Sequence, residues 1–446
     1  MKRERLINMT QGNPTPILLL FTIPMLIGNL FQQAYGIADS IIVGRFVGSS
    51  ALAAVGATGS VTFLFFSICN GISSGCSIVA SQSFGAGDVR KTKRVIANAS
   101  YLMFGMSLVM GVIAYACTPW ALRLMGTPED IMHDASVYMR LSCIGVPLVA
   151  VYNYASSMLR ALGDSRTPLV FLIVACVLNI VLDLFCVIVL KLGVFGVALA
   201  TIIAQMIAGI GCLLYALKFN FYFLLTREDF TPDREVIAQS VRLGLPMAMQ
   251  WSLIALSTTA LQSFINSYGT VAVAGFTTTS RIDQLMHQPL GSLSTALSTF
   301  AGQNMGAGRR DRVKKGMLHG MLMSFVLTAV MIVIDLLFSR QLVSVFVSDP
   351  EVIELGAQAV RLTAWFYFAL SAINVIRGTL NGVGDALFAF INGAVEVVSR
   401  IGLPMLLVFL PPLGMMSIWW VNGFCWFFSA LFCVWRYLSW HRKHRA

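Results

Sequence analysis

Charge is scarce in this sequence. Of its 446 residues only 11% are charged, while 57% are hydrophobic. The mean hydropathy is +0.77. A soluble chain averages about 25% charged residues. So much apolar surface cannot be hidden inside a water-soluble globule, and the chain reads as an integral membrane protein. Several enzyme signatures are missing as well. No GxxxxGK[ST] loop occurs, which excludes an ATP engine within the chain. There is no HExxH, no GxSxG and no cysteine–histidine set with metal spacing. An intramembrane protease or a lipid head-group transferase needs paired catalytic groups at an interface, and none is found. MKRERL leads into PILLLFTIPMLIGNLF without a small-residue cleavage site, so the first apolar run reads as a retained helix. The nine cysteines fall within or at the ends of apolar segments and read as packed, reduced thiols.

What is present is a series of apolar runs of about 20 residues, the length that spans a bilayer as helix. Lipid forbids unpaired backbone groups, so the choice is a helix bundle or a closed barrel. A barrel would show shorter, alternating segments. Twelve spans are expected, near 16–40, 51–82, 95–118, 133–158, 167–190, 194–217, 238–266, 272–302, 315–338, 352–380, 387–410 and 415–437. The net charge of +11 is distributed unevenly. KRER, VRKTKR at 89–94, Arg160, Arg166, the 218–242 connection, RRDRVKK at 309–315 and the tail WRYLSWHRKHRA fall on one set of loops. Only isolated cations such as Arg45, Arg123, Lys191 and Arg340 fall on the other. The positive-inside rule puts both termini in the cytoplasm, and an even span count agrees. The basic excess therefore needs no nucleic-acid partner.

The chain repeats itself. ASQSFGAGDVRKTKR at 80–94 resembles AGQNMGAGRRDRVKK at 301–315, with Gln82 mapping to Gln303 at an offset of 221. LRALGD at 159–164 maps onto LNGVGD at 380–385, and Gly193 onto Gly414, at the same offset. TIPM at 22–25 matches GLPM at 244–247, shifted by one more residue. Each half is thus about six helices in the same order, a parallel repeat about an axis along the membrane normal. The expected organisation is an N-lobe at 1–217, a cytoplasmic linker at 218–237 and a C-lobe with a basic tail at 238–446. Two such lobes facing each other across a central cleft is an architecture that transporters use for alternating access. It does not suggest the symmetric pore of a channel.

These residues resemble the multidrug and toxic compound extrusion (MATE) family, over the whole chain. The resemblance rests on the Pro24 motif opening the first span, ADSIIVGRFVG at 38–48, the paired GAG loops, LRALGDSRTP at 159–168 and LNIVLD at 178–183. It is nearer to the DinF-like prokaryotic branch than to the NorM branch. The resemblance implies an all-α protein of twelve transmembrane helices in two six-helix lobes. It implies export of organic cations and drugs in exchange for Na⁺ or H⁺, without a further cofactor. It also implies a monomer in the bacterial cytoplasmic membrane, and a cation site at Asp39, Asn179, Asp183 and Thr201. Some members of the NorM branch carry a glutamate on the seventh span; here that span reads PMAMQWSLIALS, with no acid.

The residues make a case of their own. Asn179 and Asp183 are four apart, so they share one helix face, about 40° and about 6 Å from each other. A charged side chain at the bilayer centre costs about 2.5–3.5 kcal/mol on insertion scales and faces the bundle interior or a water-filled cavity. Tyr35, Gln32 and Gly28 precede Asp39 by four, seven and eleven residues, forming one polar seam. Thr201 offers a hydroxyl on the sixth span. Two carboxylates with amide and hydroxyl oxygens suit a small hard cation such as Na⁺, and two neighbouring acids can equally share a proton.

The C-lobe counterparts differ. The offset carries Asn179 to Arg400, Asp183 to Pro404, Thr201 to Asn422 and Asp39 to apolar sequence near Leu261. An arginine in that place repels a cation. Glu396 and Arg400, four apart, read as a structural pair, with a substrate contact as the other role for Arg400. Gln250, Gln262, Asp283 and His287 join Gln32, Tyr35 and Arg400 as candidate cavity residues. Asp335 and Arg361 are expected near the outer ends of their spans, where snorkelling is cheap. The competing function is a flippase for lipid-linked oligosaccharides. It would need a basic cavity, for which Arg281, Arg377 and Arg400 are the candidates.

Overall fold

Inside a bilayer the backbone has no partner but itself, and this chain answers with helix almost throughout. The computed structural model describes residues 6–124, 126–407 and 411–443, so Lys2–Arg5 and the last three residues of the basic termini lie outside the described residues. The first half forms α1 (Pro14–Ile42), α2 (Ser49–Gly85), α3 (Val89–Leu124), α4 (Glu129–Ala161), α5 (Arg166–Leu184) and α6 (Gly193–Phe219). The second forms α7 (Arg234–Asn266), α8 (Thr270–Gly306), α9 (Arg310–Ser344), α10 (Pro350–Ala364), α11 (Tyr367–Val383), α12 (Ala386–Leu407) and α13 (Ser417–Lys443). Among the described residues there is no β-strand.

Eight of these helices are long and apolar enough to cross a membrane alone, and α10 with α11, bent by 50°, makes a ninth. The remaining three, α2, α7 and α8, run for 37, 33 and 37 residues. Counting the bent pair as one span gives the twelve expected from hydropathy. The bend was not foreseen, because the junction TAWFYF holds neither proline nor glycine.

The helices gather into two compact units. The first comprises residues up to Gln11, then Ile23–Ala248 and Gly306–Gly308; the second comprises Gly12–Thr22, Met249–Met305 and the chain from Arg309 on. In the first unit α4 is the hub, packed on α2, α3 and α6. In the second, α11 packs on α9 and α13, and α13 on α12. Its core holds Tyr367, Phe388, Trp426 and Ile332.

Several cation-bearing segments are tied to neighbours within their own unit. In the first, Lys93 Nζ donates to Leu224 O at 2.7 Å, Asn98 Nδ2 to Thr231 O at 3.2 Å, and Ile7 N to Gly163 O at 3.3 Å. In the second, Arg312 Nη1 donates to Gly12 O at 2.8 Å, and Arg436 grips Asp385 through two bonds of 2.8 and 3.0 Å.

Lipid gives helices no hydrophobic reason to associate, so close approach of small residues carries much of the packing. Gly378 and Gly382, four apart on α11, illustrate it. A Cβ at Gly378 would lie 2.3 Å from Ser294 O, and one at Gly382 would lie 2.3 Å from Ser298 O. Both carbonyls belong to α8. Gly382→Val is therefore expected to cost about 1–3 kcal/mol through overpacking, seen as a lower unfolding midpoint in detergent. Gly402→Ala, where nothing lies within 4 Å, should leave that midpoint unchanged.

Candidate cation site

Four helices of the first unit bring polar groups together. α1 supplies Tyr35 and Asp39, α4 supplies Tyr138, α5 supplies Asn179 and Asp183, and α6 supplies Thr201 and Gln205. Asp183 is fully buried and Asn179 nearly so, at 0% and 2% exposure. Asn179 Nδ2 donates to Thr201 Oγ1 at 3.2 Å, tying α5 to α6. Tyr35, Cys176, Asn179, Thr201 and Gln205 line one narrow crevice. Tyr35 and Tyr138 both lie in the field of Asp39 and Asp183, and the two carboxylates lie in each other's.

The decisive feature is what these oxygens do not bond. Oδ1 and Oδ2 of Asp183, Oδ1 of Asn179 and Oδ1 of Asp39 are buried and accept from no N–H or O–H donor, while the Asp39 and Asp183 carboxylates lie within hydrogen-bond reach of each other. A buried polar group without a partner is costly, and a buried charge more so. Four acceptor oxygens converging from α1 and α5 fit a small hard cation, or a proton shared between two carboxylates. No lysine or arginine makes an ion pair with either acid among the described residues.

The backbone around the acids is unusual. Asp39 precedes a π-helical turn at Val43–Val47, and Asp183 precedes another at Phe185–Val189. Gly48 N reaches Val43 O and Leu190 N reaches Phe185 O, both at 3.0 Å. Such turns are rare and concentrate at functional sites. The two pack on α6 and on each other. Around them Ile42, Val43, Val187, Val194 and Val197 form an apolar cluster in contact with Tyr138, which keeps water from this side of the acids.

The sequence-derived set is thus brought together at Tyr35, Asp39, Asn179, Asp183 and Thr201, while Gln32 lies exposed on α1. Tyr138 and Gln205 were missed. Gln205 stands four residues after Thr201 and could have been found by helical spacing. Tyr138 lies on a helix with no other mark in the sequence.

The remaining candidates lie in the second unit. Gln262 bonds Asn266 within α7 at 2.9 Å, so it serves its own helix. Gln250 is buried and donates to Asn392 Oδ1 at 3.4 Å. Arg400 donates to Ser257 Oγ at 2.9 Å and lies 3.9 Å from Glu396, the pairing expected from their spacing. The stronger partner of Glu396 is Arg377, at 2.6 Å. His287 lies in the field of Glu396, Arg400 and Arg377, with its ring 5.7 Å from Trp426. Asp283 accepts from Tyr367 Oη at 2.7 Å. Asp335 corrects an expectation: it is fully buried rather than snorkelling, and its helix continues to Ser344. Arg361, likewise expected near the outer end of its span, is exposed and donates Nε–H to Ser339 at 2.8 Å.

The chain is similar to known proteins over most of its length. The family profile MatE matches residues 24–185 and 246–429. A probable multidrug resistance protein of Bacillus subtilis, YpnP, is 31% identical over 435 residues, 97% of each chain. Another from the same organism, YoeA, is 31% identical over 376 residues, 83% of this chain and 81% of its own. A solved structure described as the outward-facing conformation of a multidrug resistance MATE family transporter superposes with a TM-score of 0.90 at 24% identity, covering 98% of both chains.

Removing the charge of Glu396 leaves the half-buried Arg377 and the buried Arg400 without their counter-charge. Glu396→Gln is expected to cost about 3–5 kcal/mol. Thermal unfolding of the purified protein in detergent reads this as a large drop in midpoint, while the paired change Glu396→Gln with Arg377→Met should recover much of it.

Proposed function

This chain belongs to the MatE family, the multidrug and toxic compound extrusion transporters, and from that premise we propose that it expels organic cations and drugs in exchange for Na⁺ or H⁺ bound by Asp39, Asn179, Asp183 and Thr201. The chain is a helical membrane protein and a multidrug efflux transporter by family. The observation that supports ion coupling is the set of four buried acceptor oxygens with no N–H or O–H donor. Tyr35 and Tyr138 lie beside the carboxylates, and Gln205 extends the polar wall.

In this reading the cation enters from outside and cancels the charge of Asp39 and Asp183. Charge cancellation removes the repulsion between them and lets α1 and α5 close on each other at the π-helical turns. The drug pocket loses affinity, and the drug leaves outward by alternating access. Ion and drug then oppose each other's binding by the same factor, as linkage requires. The chain acts as a monomer in a cytoplasmic membrane with both termini inside, in contact with lipid, with no nucleic-acid partner and no enzymatic step. α7 carries no acid in its apolar stretch, which supports the DinF-like branch.

The flippase reading needs free cations for a pyrophosphate. Arg377 and Arg400 share Glu396, and Arg281 lies exposed on α8, so the described residues do not offer a basic cavity of that kind.

Proteoliposomes loaded with a cationic dye test the proposal under imposed Na⁺ or pH gradients. One gradient should drive dye movement through the wild type. Asp39→Asn and Asp183→Asn should each reduce it at least about tenfold, the scale set by losing one charged partner in low dielectric. Gradient-driven transport at the wild-type rate in both variants would refute the site. Gradient-driven movement of a lipid pyrophosphate, with no dye movement, would replace drug export by flipping.

A further inference from the structure

The first unit carries a cleft that the exchange mechanism above does not use. It has a volume of about 300 Å³ and is lined by Arg166, Thr167, Val170, Phe171 and Tyr215. Pockets for small ligands run from about 300 to about 1,000 Å³, so it has room for more than a stray water. Local packing explains the hollow. α6 has glycine at 211, and a Cβ there would come within 2.8 Å of the Phe171 ring. Phe171 therefore leans onto α6, with the Tyr215 ring at 6.1 Å, and Tyr215 lies 4.7 Å from Phe219.

The cleft lies where α5 begins, at Arg166, and α6 ends, at Phe219. Both helices are long and apolar enough to cross a membrane, so their shared end falls at the membrane–water boundary, where tyrosine is enriched. Below the cleft an apolar track leads down α5. Val170, Val174, Val177 and Val181 are all exposed and recur at helical spacing. One end of the cleft is thus cationic, and the other opens towards acyl chains.

The cation is unclaimed. Among the described residues Arg166 makes no ion pair. The nearest acid in sequence, Asp164, is already spent. Its Oδ1 accepts from the backbone N–H of Arg166 at 3.1 Å and of Thr167 at 3.0 Å, and its Oδ2 accepts from the Thr167 hydroxyl at 2.6 Å. Those bonds also occupy the first two N–H groups of α5, which leaves the guanidinium as the donor to a ligand. Lys218, 5.5 Å above the Phe219 ring, adds a second cation at this end of α6.

The internal repeat shows the other outcome at the same place. The 221-residue offset carries Asp164 to Asp385, Tyr215 to Arg436 and Arg166 to Leu387. In the second half Arg436 holds Asp385 through two bonds, and the charge is closed within the protein. In the first half the acid caps its own helix and the arginine is exposed without a counter-charge. A guanidinium fork matches a phosphate through two parallel bonds.

We infer that this cleft binds one anionic phospholipid, with its phosphate on Arg166 and an acyl chain along Val170 and the valines below. Charge complementarity selects an anion, and the apolar track beyond the cation selects a lipid over a soluble phosphate. The inference rests on α5 and α6 alone. It does not require the role proposed for Asp39 and Asp183.

The test uses the full-length protein in detergent, mixed with phosphatidylglycerol or with phosphatidylethanolamine, which has no net charge. Native mass spectrometry reads the lipid retained, and thermal unfolding checks that each variant is folded. The wild type should keep one phosphatidylglycerol in preference to phosphatidylethanolamine. Arg166→Gln should weaken that retention about fivefold, the scale of one cation beside an anionic headgroup. Val170→Trp fills the cleft without changing charge and should weaken it at least as much. Equal retention by the wild type and both variants overturns the inference. Loss in Arg166→Gln with wild-type retention in Val170→Trp assigns the attraction to surface charge and overturns the cleft. Displacement of the lipid by excess glycerol phosphate makes the ligand a soluble phosphate and overturns the lipid. Should Arg166→Gln not fold, Val170→Trp decides alone: lost retention supports the cleft, and wild-type retention overturns it.

Discussion

A charge buried in a bilayer must be cancelled, and most of what is particular about this protein follows from how each charge meets that demand. Apolar helices alone would pack by small residues and van der Waals contact. The few acids that remain inside have three ways out: a fixed counter-charge, a hydrogen-bonded neighbour or a mobile cation. Glu396 takes the first, held by Arg377 at 2.6 Å with Arg400 at 3.9 Å. Asp283 takes the second, through Tyr367 at 2.7 Å. Asp39 and Asp183 have no fixed counter-charge among the described residues and lie in each other's field, and the third way is the role proposed for them.

The duplicated halves show the same demand met differently at equivalent places. Where the first half has Asn179, the second has Arg400, and where the first has Asp183, the second has Pro404. An arginine cannot share a site with a mobile cation, so Glu396, one turn away on α12, makes the charge permanent. Its network extends to Asn392, which accepts from Arg377 at 2.5 Å and donates to Ser429 at 2.8 Å. At these repeat-related positions the second half carries a fixed ion pair, while the proposed role of the first is to hold a movable charge.

Much of this was legible beforehand, for physical reasons. Span lengths are dictated by bilayer thickness, so apolar runs located the helices to within a few residues: 194–217 against Gly193–Phe219, or 272–302 against Thr270–Gly306. Asn179 and Asp183 announced themselves as the polar exceptions in an apolar helix, spaced to share a face. Other features left no such mark. The break between α10 and α11 lies at aromatic and β-branched residues that weaken a helix slightly without ending one, so nothing in the sequence marked it. The π-helical turns after Asp39 and Asp183 arise in VGRFV and FCVIV, which any apolar helix could contain. Tyr138 is one tyrosine among eleven.

Asp335 shows where sequence reasoning of this kind fails. Its position near the C-terminal part of α9 made snorkelling the economical expectation, because a residue close to the interface can reach water. That argument considers depth and ignores azimuth. α9 presents Ser324, Thr328, Asp335 and Ser339 on one buried face, so the carboxylate points into protein whatever its distance from the membrane surface. The spacing of those four residues, at intervals of four, seven and four, is itself a helical face and was available in the sequence. A polar stripe at helical period inside an apolar span marks the face turned away from lipid, and an acid within such a stripe has to find its partner inside the protein.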